Sequence, residues 1–380
     1  MASSNDSCGS VEDLRKYQHH VYTVFYSVIL APGLLGNVLA LWIFQVYVRE
    51  TKRGVVFMMN LAVADLMQVL SLPLRIYYYL NNTWPFGQSL CILCFYLKYV
   101  NMYASIYFLV CVSVRRCQLI MHPLRNRTNR RRGDVCVCAI GWLLVCVCCL
   151  PFPLLRITDP PSTSQTGSYN YSLDLYLSTS YAPTQKPSVT SVCFAELPMQ
   201  ELSPGAGWAL MITAELFGFI LPLALVLTCS CLTAGNLRRH GKFEVGAGLG
   251  VQDPGDKRRA LRMVLSCAGV FLVCFVPYHV TMPLDYLAKA GALGDWCQVK
   301  EMVLTWHPVT LCLASLNSGL DPVMYYFTTD EFRRRFSRPE LPESFSLAPR
   351  LSYTSGKLKL ASGKPLSREL YHLNPQISLN

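Results

Sequence analysis

Two carboxylates, Asp65 and Asp321, stand inside long apolar runs of this 380-residue chain. At close range in a poorly solvated interior they cannot both stay charged and unpaired, so together they hold a shared proton or a cation. Four cations, Arg75, Lys98, Arg156 and Lys289, fall near the ends of other apolar runs, with Tyr22, Tyr79, Tyr99 and His279 at similar depth. Arg75 and Tyr79 are one helical turn apart and share a face. Each cation alone reads as a long side chain snorkelling to a polar boundary. Four converging on one mouth favour an anionic ligand, because guanidinium takes phosphate and carboxylate in bidentate fashion. No nucleophile, base and oxyanion donors occur in the pattern of an active site, so an enzyme has no support. No Cys–His spacing suits zinc.

The elements that carry these residues follow from composition. The chain is 52% hydrophobic and 15% charged, against about 25% charged in a soluble protein. The apolar residues gather into blocks at 21–47, 54–80, 89–121, 135–157, 205–237, 260–288 and 300–327. Each block reaches the length of roughly 20 residues that a helix needs to cross a bilayer core. Backbone groups in lipid must pair within their own segment, so the blocks read as helices. The fold class is therefore an all-α membrane protein, a seven-transmembrane-helix bundle over 21–328. Arg49, Lys52 and Arg53 follow the first block, and Arg125, Arg127, Arg130, Arg131 and Arg132 the third. Arg238, Arg239, Lys242, Lys257, Arg258, Arg259 and Arg262 lie between the fifth and sixth, and Arg333, Arg334, Arg335 and Arg338 after the seventh. The alternate connections are poor in Lys and Arg, which places the N-terminus outside and the C-terminus in the cytoplasm. This asymmetry accounts for the net charge of +11 without a nucleic-acid partner.

The connections agree with that topology. Residues 1–20 read as a polar extracellular tail without a signal peptide, so the first helix is expected to act as its own insertion signal. Sequons at Asn5, Asn81 and Asn170 all fall on the outer side and are candidate glycosylation sites. The connection at 158–204 is rich in Ser, Thr, Pro and Tyr and reads as a long, loose loop. Residues 329–338, with Phe332 and Phe336 flanking arginines, suit a short amphipathic helix on the inner leaflet. The tail at 339–380 reads as disordered and carries Ser344, Ser346, Ser352, Thr354, Ser355 and Ser362 as candidate phosphorylation sites. Of seventeen cysteines, only Cys8, Cys91, Cys193 and Cys297 fall on the oxidising side. Their spacing alone leaves three pairings open.

Polar residues inside spans are costly and point to function. Gly36-Asn37 lies in the first span, the run Asn60 to Asp65 in the second, Trp142 in the fourth and Pro222 in the fifth. Phe271 to His279, with Pro277, lies in the sixth, and Asn317-Ser318-Gly319-Leu320-Asp321-Pro322 through Tyr325 in the seventh. Together, in this order, they resemble the rhodopsin-like G-protein-coupled receptors over about 21–338. The resemblance implies a heterotrimeric G protein as partner, with arrestin and receptor kinases acting on the tail. It implies a switch built from Phe271, Phe275, Pro277, Asp321, Pro322 and Tyr325, the prolines making their spans jointed. It offers a sodium ion on Asp65, Asn101, Ser105, Asn317, Ser318 and Asp321, with a proton shared by the two acids as rival; no other cofactor is expected. It implies disulfides Cys91–Cys193 and Cys8–Cys297. At the end of span three, Arg115-Arg116-Cys117 departs from the usual Asp-Arg-Tyr. Arg116 takes the place of the arginine that meets the G protein, and its acidic restraint has become Arg115. An inactive-state ion pair is thus expected to be missing and basal activity raised.

Ligand classes narrow in the same way. Lys98 stands where amine receptors carry Asp, span seven has no Lys for retinal, and the N-terminal tail is too short for a hormone-binding domain. The runs Ser71 to Tyr79, Phe95 to Ser105, Pro153 to Arg156 and Cys312 to Ser318 are similar to those of purinoceptor-like lysophosphatidylserine receptors. That resemblance implies a plasma-membrane receptor for an anionic lysophospholipid. Arg75, Arg156 and Lys289 would take the head group, while Lys98, Tyr79 and Tyr99 shape the pocket. The acyl chain would lie between spans four and five, among membrane lipids. A receptor for nucleotides or another lysophospholipid is the alternative, and a seven-span transporter or channel the rival of another class. The latter would carry internal repeats and broken helices, and neither is found.

Overall fold

The computed structural model describes residues 11–51, 55–121, 131–156, 192–194, 203–240, 254–289, 296–328, 352–354 and 357–359. The chain separates into two units, residues 1–333 and 334–380. In the first unit the helices are α1 (Val11–Thr51), α2 (Val56–Asn81), α3 (Gln88–Met121), α4 (Arg131–Cys149), α5 (Pro151–Leu154), α6 (Pro204–Glu215), α7 (Leu221–His240), α8 (Pro254–Val270), α9 (Val276–Lys289) and α10 (Cys297–Thr328). Two π-helical turns, π1 (Leu216–Ile220) and π2 (Phe271–Phe275), join α6 to α7 and α8 to α9. Among the described residues these elements make seven rods, six of them long and apolar enough to cross a membrane. The seventh, α10, has the length but also Lys300, Glu301, His307, Asn317, Ser318 and Asp321, which lower its apolarity.

Each π turn has a local cause. Pro222 and Pro277 lack the N–H that an α-helix needs, so one carbonyl in the preceding turn loses its donor. The chain answers with a wider turn in which Leu221 N–H reaches Leu216 O and Val276 N–H reaches Phe271 O. Such bulges rotate everything beyond them. The switch proline of span six is therefore met by a bulge as well as a joint.

The helix starts ten residues earlier than the sequence reading of a tail over 1–20. Glu12 and Asp13 sit in the first turn of α1, where the helix dipole favours acids. Lys16 Nζ bonds Glu12 Oε1 at 2.8 Å along the same face. At the far end of α2, Asn82 closes the helix in a left-handed conformation and donates its N–H to Tyr78 O at 2.8 Å.

α3 runs through the middle, packing on α2, α4, α7 and α8, while α1 packs on α2 and α10. Contacts are close where side chains are small. A Cβ on Gly36 would stand 2.7 Å from Pro322 Cβ, so Gly36 lets α1 approach the bend of α10. In the second unit, Ser352–Thr354 and Lys357–Lys359 pair antiparallel, Tyr353 opposite Leu358. Polar and apolar residues alternate in these two short runs with a strand period, and the rest of the tail read as disordered lies outside the described residues.

Candidate functional site

The end of the bundle bearing the Cys91–Cys193 disulfide gathers most of the residues chosen from sequence. The bridge is formed, with Cα atoms 5.8 Å apart, and it delivers Phe194 into the bundle. Phe194 is 2% exposed and touches Tyr78, Tyr79 and Trp84 at 5.3–5.8 Å between ring centroids. Beneath it lies Arg75, fully buried, with its guanidinium carbon 4.5 Å from the Phe194 ring centroid. Arg75 Nε donates to Ser71 Oγ and Nη2 to Cys94 O, whereas Nη1 is buried with no hydrogen-bond partner among the described residues. Snorkelling is thereby excluded for this arginine. A buried guanidinium with an open donor face calls for an acceptor.

Around Arg75 the aromatic wall continues. Tyr22 stacks on Tyr79 at 4.7 Å, and Lys98 Nζ lies 5.9 Å from the Tyr22 and Tyr99 centroids. The Arg156 guanidinium lies 5.4 Å from the Phe95 centroid. Tyr99 stacks flat on Phe152 at 4.2 Å. Tyr22, Arg75, Tyr79, Lys98, Tyr99 and Arg156 thus line one mouth. Lys289 ends α9, and its side chain lies outside the described residues. Phe152 and Phe194 were not singled out from sequence; in a loop or an apolar run, nothing marks one phenylalanine above another.

His279 sits deeper. It stacks on Phe219 at 4.4 Å, meets Tyr103 at 6.0 Å, and places Nδ1 3.2 Å from Glu215 Oε1. Glu215, the last residue of α6, escaped the sequence reading because it is one acid in an otherwise apolar run. From there rings continue toward the bend: Phe219 stacks on Phe271 at 6.0 Å, and Phe271 meets Phe275 edge-on at 5.5 Å. Phe271 and Phe275 are fully buried, with Pro277 two residues beyond Phe275.

The two acids meet as expected. Asp65, Asp321, Ser105, Asn317 and Ser318 are fully buried, and Asn101 is nearly so. Asp65 Oδ1 accepts from Asn101 Nδ2 and Asn317 Nδ2, each at 3.3 Å, and Asn101 Nδ2 also lies 3.5 Å from Ser105 Oγ. Both oxygens of Asp321, Asp65 Oδ2 and Asn317 Oδ1 remain without a well-formed bond among the described residues. No group of three His, Cys, Asp or Glu side chains gathers among the described residues to hold a metal. The donors are oxygens of two acids, amides and hydroxyls, a set that fits a hard cation or one shared proton. Tyr325, past buried Pro322, donates to Met58 O at 3.4 Å and packs on Phe44.

At the opposite, basic end, Arg115 meets an acid on a neighbouring helix. Arg115 Nη2 lies 3.2 Å from Asp134 Oδ2, with side chains 20% and 13% exposed. Asp134 stands in the first turn of α4, a favoured place for a carboxylate. Arg115 faces α4 and not lipid. Arg116, beside it, is half-buried. Asn81 is exposed. Asn5, Asn170, Cys8 with its expected bond to Cys297, and the helix at 329–338 lie outside the described residues.

Comparison with known proteins agrees with this arrangement. The sequence profile of the family "7 transmembrane receptor (rhodopsin family)" matches residues 36–325. The chain is 48% identical over 346 residues to the probable G-protein coupled receptor 174 of Mus musculus, covering 91% of this chain and 93% of that one. It is 40% identical over 323 residues to the putative purinoceptor 10 of Homo sapiens, 85% of each chain. It is 32% identical over 331 residues to lysophosphatidic acid receptor 6 of Gallus gallus, 87% of this chain and 95% of that one. These are receptors and not enzymes. This chain belongs to the rhodopsin family of G-protein-coupled receptors, in its purinoceptor-like group.

Proposed function

We propose that this receptor sits in the plasma membrane with its N-terminus outside and binds an extracellular anionic lysophospholipid, lysophosphatidylserine. The observation that carries this reading is Arg75: fully buried, capped by Phe194, with Nη1 still open. Arg156 and Lys98 add charge around the same aromatic wall. An anion alone could be a nucleotide, but an apolar cleft runs beside Leu155, the residue before Arg156. An open cleft of about 560 Å³ lies between α5 and α6, lined by Pro151, Leu154, Leu155, Ala206, Ala209, Leu210 and Thr213. A single acyl chain fits such a cleft, where it would exchange lipid neighbours for protein ones.

When ligand fills the mouth, the rings from Tyr99 and Phe152 through Tyr103, His279 and Phe219 carry the change to π2 and the Pro277 bend. The basic end, with Arg116, then engages the G protein. The buried acids Asp65 and Asp321 sit between the two ends. A sodium ion held there by Asp65, Asp321, Asn101, Ser105, Asn317 and Ser318 would supply charge balance that favours one arrangement of the bend.

The test is a panel of lysophospholipids and nucleotides on cells expressing the full chain, read through several G-protein reporters. Lysophosphatidylserine is expected to be the best agonist. A nucleotide acting at lower concentration than every lysophospholipid overturns the reading.

A further inference from the structure

The mouth has a second wall of opposite character. Glu215 ends α6 with its side chain 16% exposed, and His279 on α9 is buried against it at 3.2 Å. Tyr103 on α3 closes the third side; a Cβ on Gly218 would stand 2.6 Å from its ring, so π1 fits around it. Two polar atoms in this corner are buried without a hydrogen-bond partner among the described residues: His279 Nε2 and the Tyr103 hydroxyl. When His279 donates its Nδ1–H to the carboxylate, Nε2 is left as an acceptor. The Glu215 carboxylate has a second oxygen, and the Tyr103 hydroxyl also accepts. The corner therefore offers three acceptors and one negative charge. The group that matches it has donors only and carries positive charge: an ammonium.

The position matters as much as the chemistry. Tyr99 and Tyr103 are successive turns of α3, and both stack on Phe152, at 4.2 and 6.3 Å. A helical turn rises about 5.4 Å, so the acidic corner lies one turn deeper than the cationic wall of Arg75, Lys98 and Arg156. A ligand that satisfies both walls is zwitterionic, with its ammonium a few ångströms from its anions. We propose that Glu215, with His279 and Tyr103, forms a subsite for the ligand's ammonium group, selecting amino-acid lysophospholipids over plain lysophosphates. This rests on the lysophospholipid reading above and adds the residue that chooses the head group.

The experiment compares lysophosphatidylserine with its N-acetyl derivative and with lysophosphatidic acid, all of one acyl chain, on wild type, Glu215→Gln, Glu215→Asp and Asp285→Asn at matched surface expression. N-acetylation keeps phosphate and carboxylate, removes the ammonium charge and adds an acetyl group, whose bulk the Glu215→Gln comparison separates from the charge. The wild type is expected to prefer the free amine by about tenfold or more, the change one charge-assisted hydrogen bond produces. Glu215→Gln is expected to lose potency on the free amine alone and so erase the preference, with Glu215→Asp retaining part of it. Asp285, 3.8 Å from His307 and within electrostatic reach of Tyr22 and Tyr99, is the other acid near the mouth, and Asp285→Asn should leave the preference in place. Equal potency of the two serine lipids on wild type overturns the subsite while the lysophospholipid reading stands, and so does an equal loss for both lipids in Glu215→Gln. Erasure by Asp285→Asn instead assigns the ammonium elsewhere. If no lysophospholipid activates wild type, both readings fall together. Should Glu215→Gln not reach the surface, the wild-type comparison decides alone.

Discussion

At the scale of single residues, burial decides what charge means here. Arg75 and Arg156 look alike in sequence, each a cation near the end of an apolar run. Arg75 is sealed beneath Phe194, whereas Arg156 is half-buried beside Phe95. A charged hydrogen bond contributes about 1.5–3 kcal/mol, and about 1.4 kcal/mol is tenfold. Arg75→Ala is therefore expected to cost agonist potency about tenfold or more, and Arg156→Ala less, both reaching the surface. Concentration–response curves with the best agonist check this; unchanged potency in both variants would make them structural cations. The acid pair gives a second residue-scale prediction. Asp65→Asn should weaken the dependence of agonist affinity on sodium, since one of two carboxylates around the oxygen cluster is lost. Wild-type affinity that is the same in sodium and in a large organic cation would leave the shared proton as the occupant. Arg75, Asp65 and Asp321 were legible because a charge inside an apolar run is expensive and conspicuous. Glu215 was just as expensive but lay among residues without motif spacing, and Phe194 carried no signal because only the disulfide puts it in the site.

At the scale of elements, the ion pair Arg115–Asp134 joins the basic ends of α3 and α4. The same seam holds Tyr107 OH donating to Val137 O at 3.0 Å, and Trp142 Nε1 donating to Asn60 Oδ1 on α2 at 2.8 Å. α4 is thus a brace, and Asp134 ties the brace to the arginine doublet. A partly exposed pair contributes about 0.5–1 kcal/mol, enough to shift a two-state equilibrium a few-fold. Asp134→Asn is expected to raise basal signalling by that much, and the exchange Arg115→Asp with Asp134→Arg to restore it. Basal signalling at matched expression is the readout; a swap no better than the single change sinks the idea. The sequence showed the doublet but not its partner, because an acid at 134 and a cation at 115 become neighbours only when two helices pack. The π turns were hidden for a different reason. A single extra residue shifts the phase of an apolar stripe, but a helix that is apolar on nearly every side shows no such shift, and the prolines announce a bend without stating its form.

At the scale of the whole molecule, the disulfide connects residues 192–194 to the chemistry of the bundle. Cys91 and Cys193 are 102 residues apart in sequence, and closing a loop of about 100 residues removes roughly 4–5 kcal/mol of unfolded-chain entropy in the simplest account. That constraint does more than stabilise. Phe194, next to the bridge, holds φ at +60°, a left-handed conformation that L-residues avoid at about 1–2 kcal/mol. The conformation persists because Trp84, Tyr78 and Tyr79 enclose the ring and Arg75 lies against its face. Phe194, α2 and α3 are therefore one assembly around one guanidinium. If so, Phe194 and Arg75 are coupled: removing the ring lets water reach Arg75, which then has less to gain from an anion. Phe194→Ala is expected to lower potency several-fold in the wild-type background and much less in Arg75→Ala, a non-additivity that a double-mutant cycle measures directly. Phe194→Gly should behave like Phe194→Ala even though it relieves the backbone, because the ring and not the strain carries the effect. Additive losses in the cycle would mean that the loop merely covers the bundle, and that Arg75 meets its ligand without help from the disulfide's neighbour.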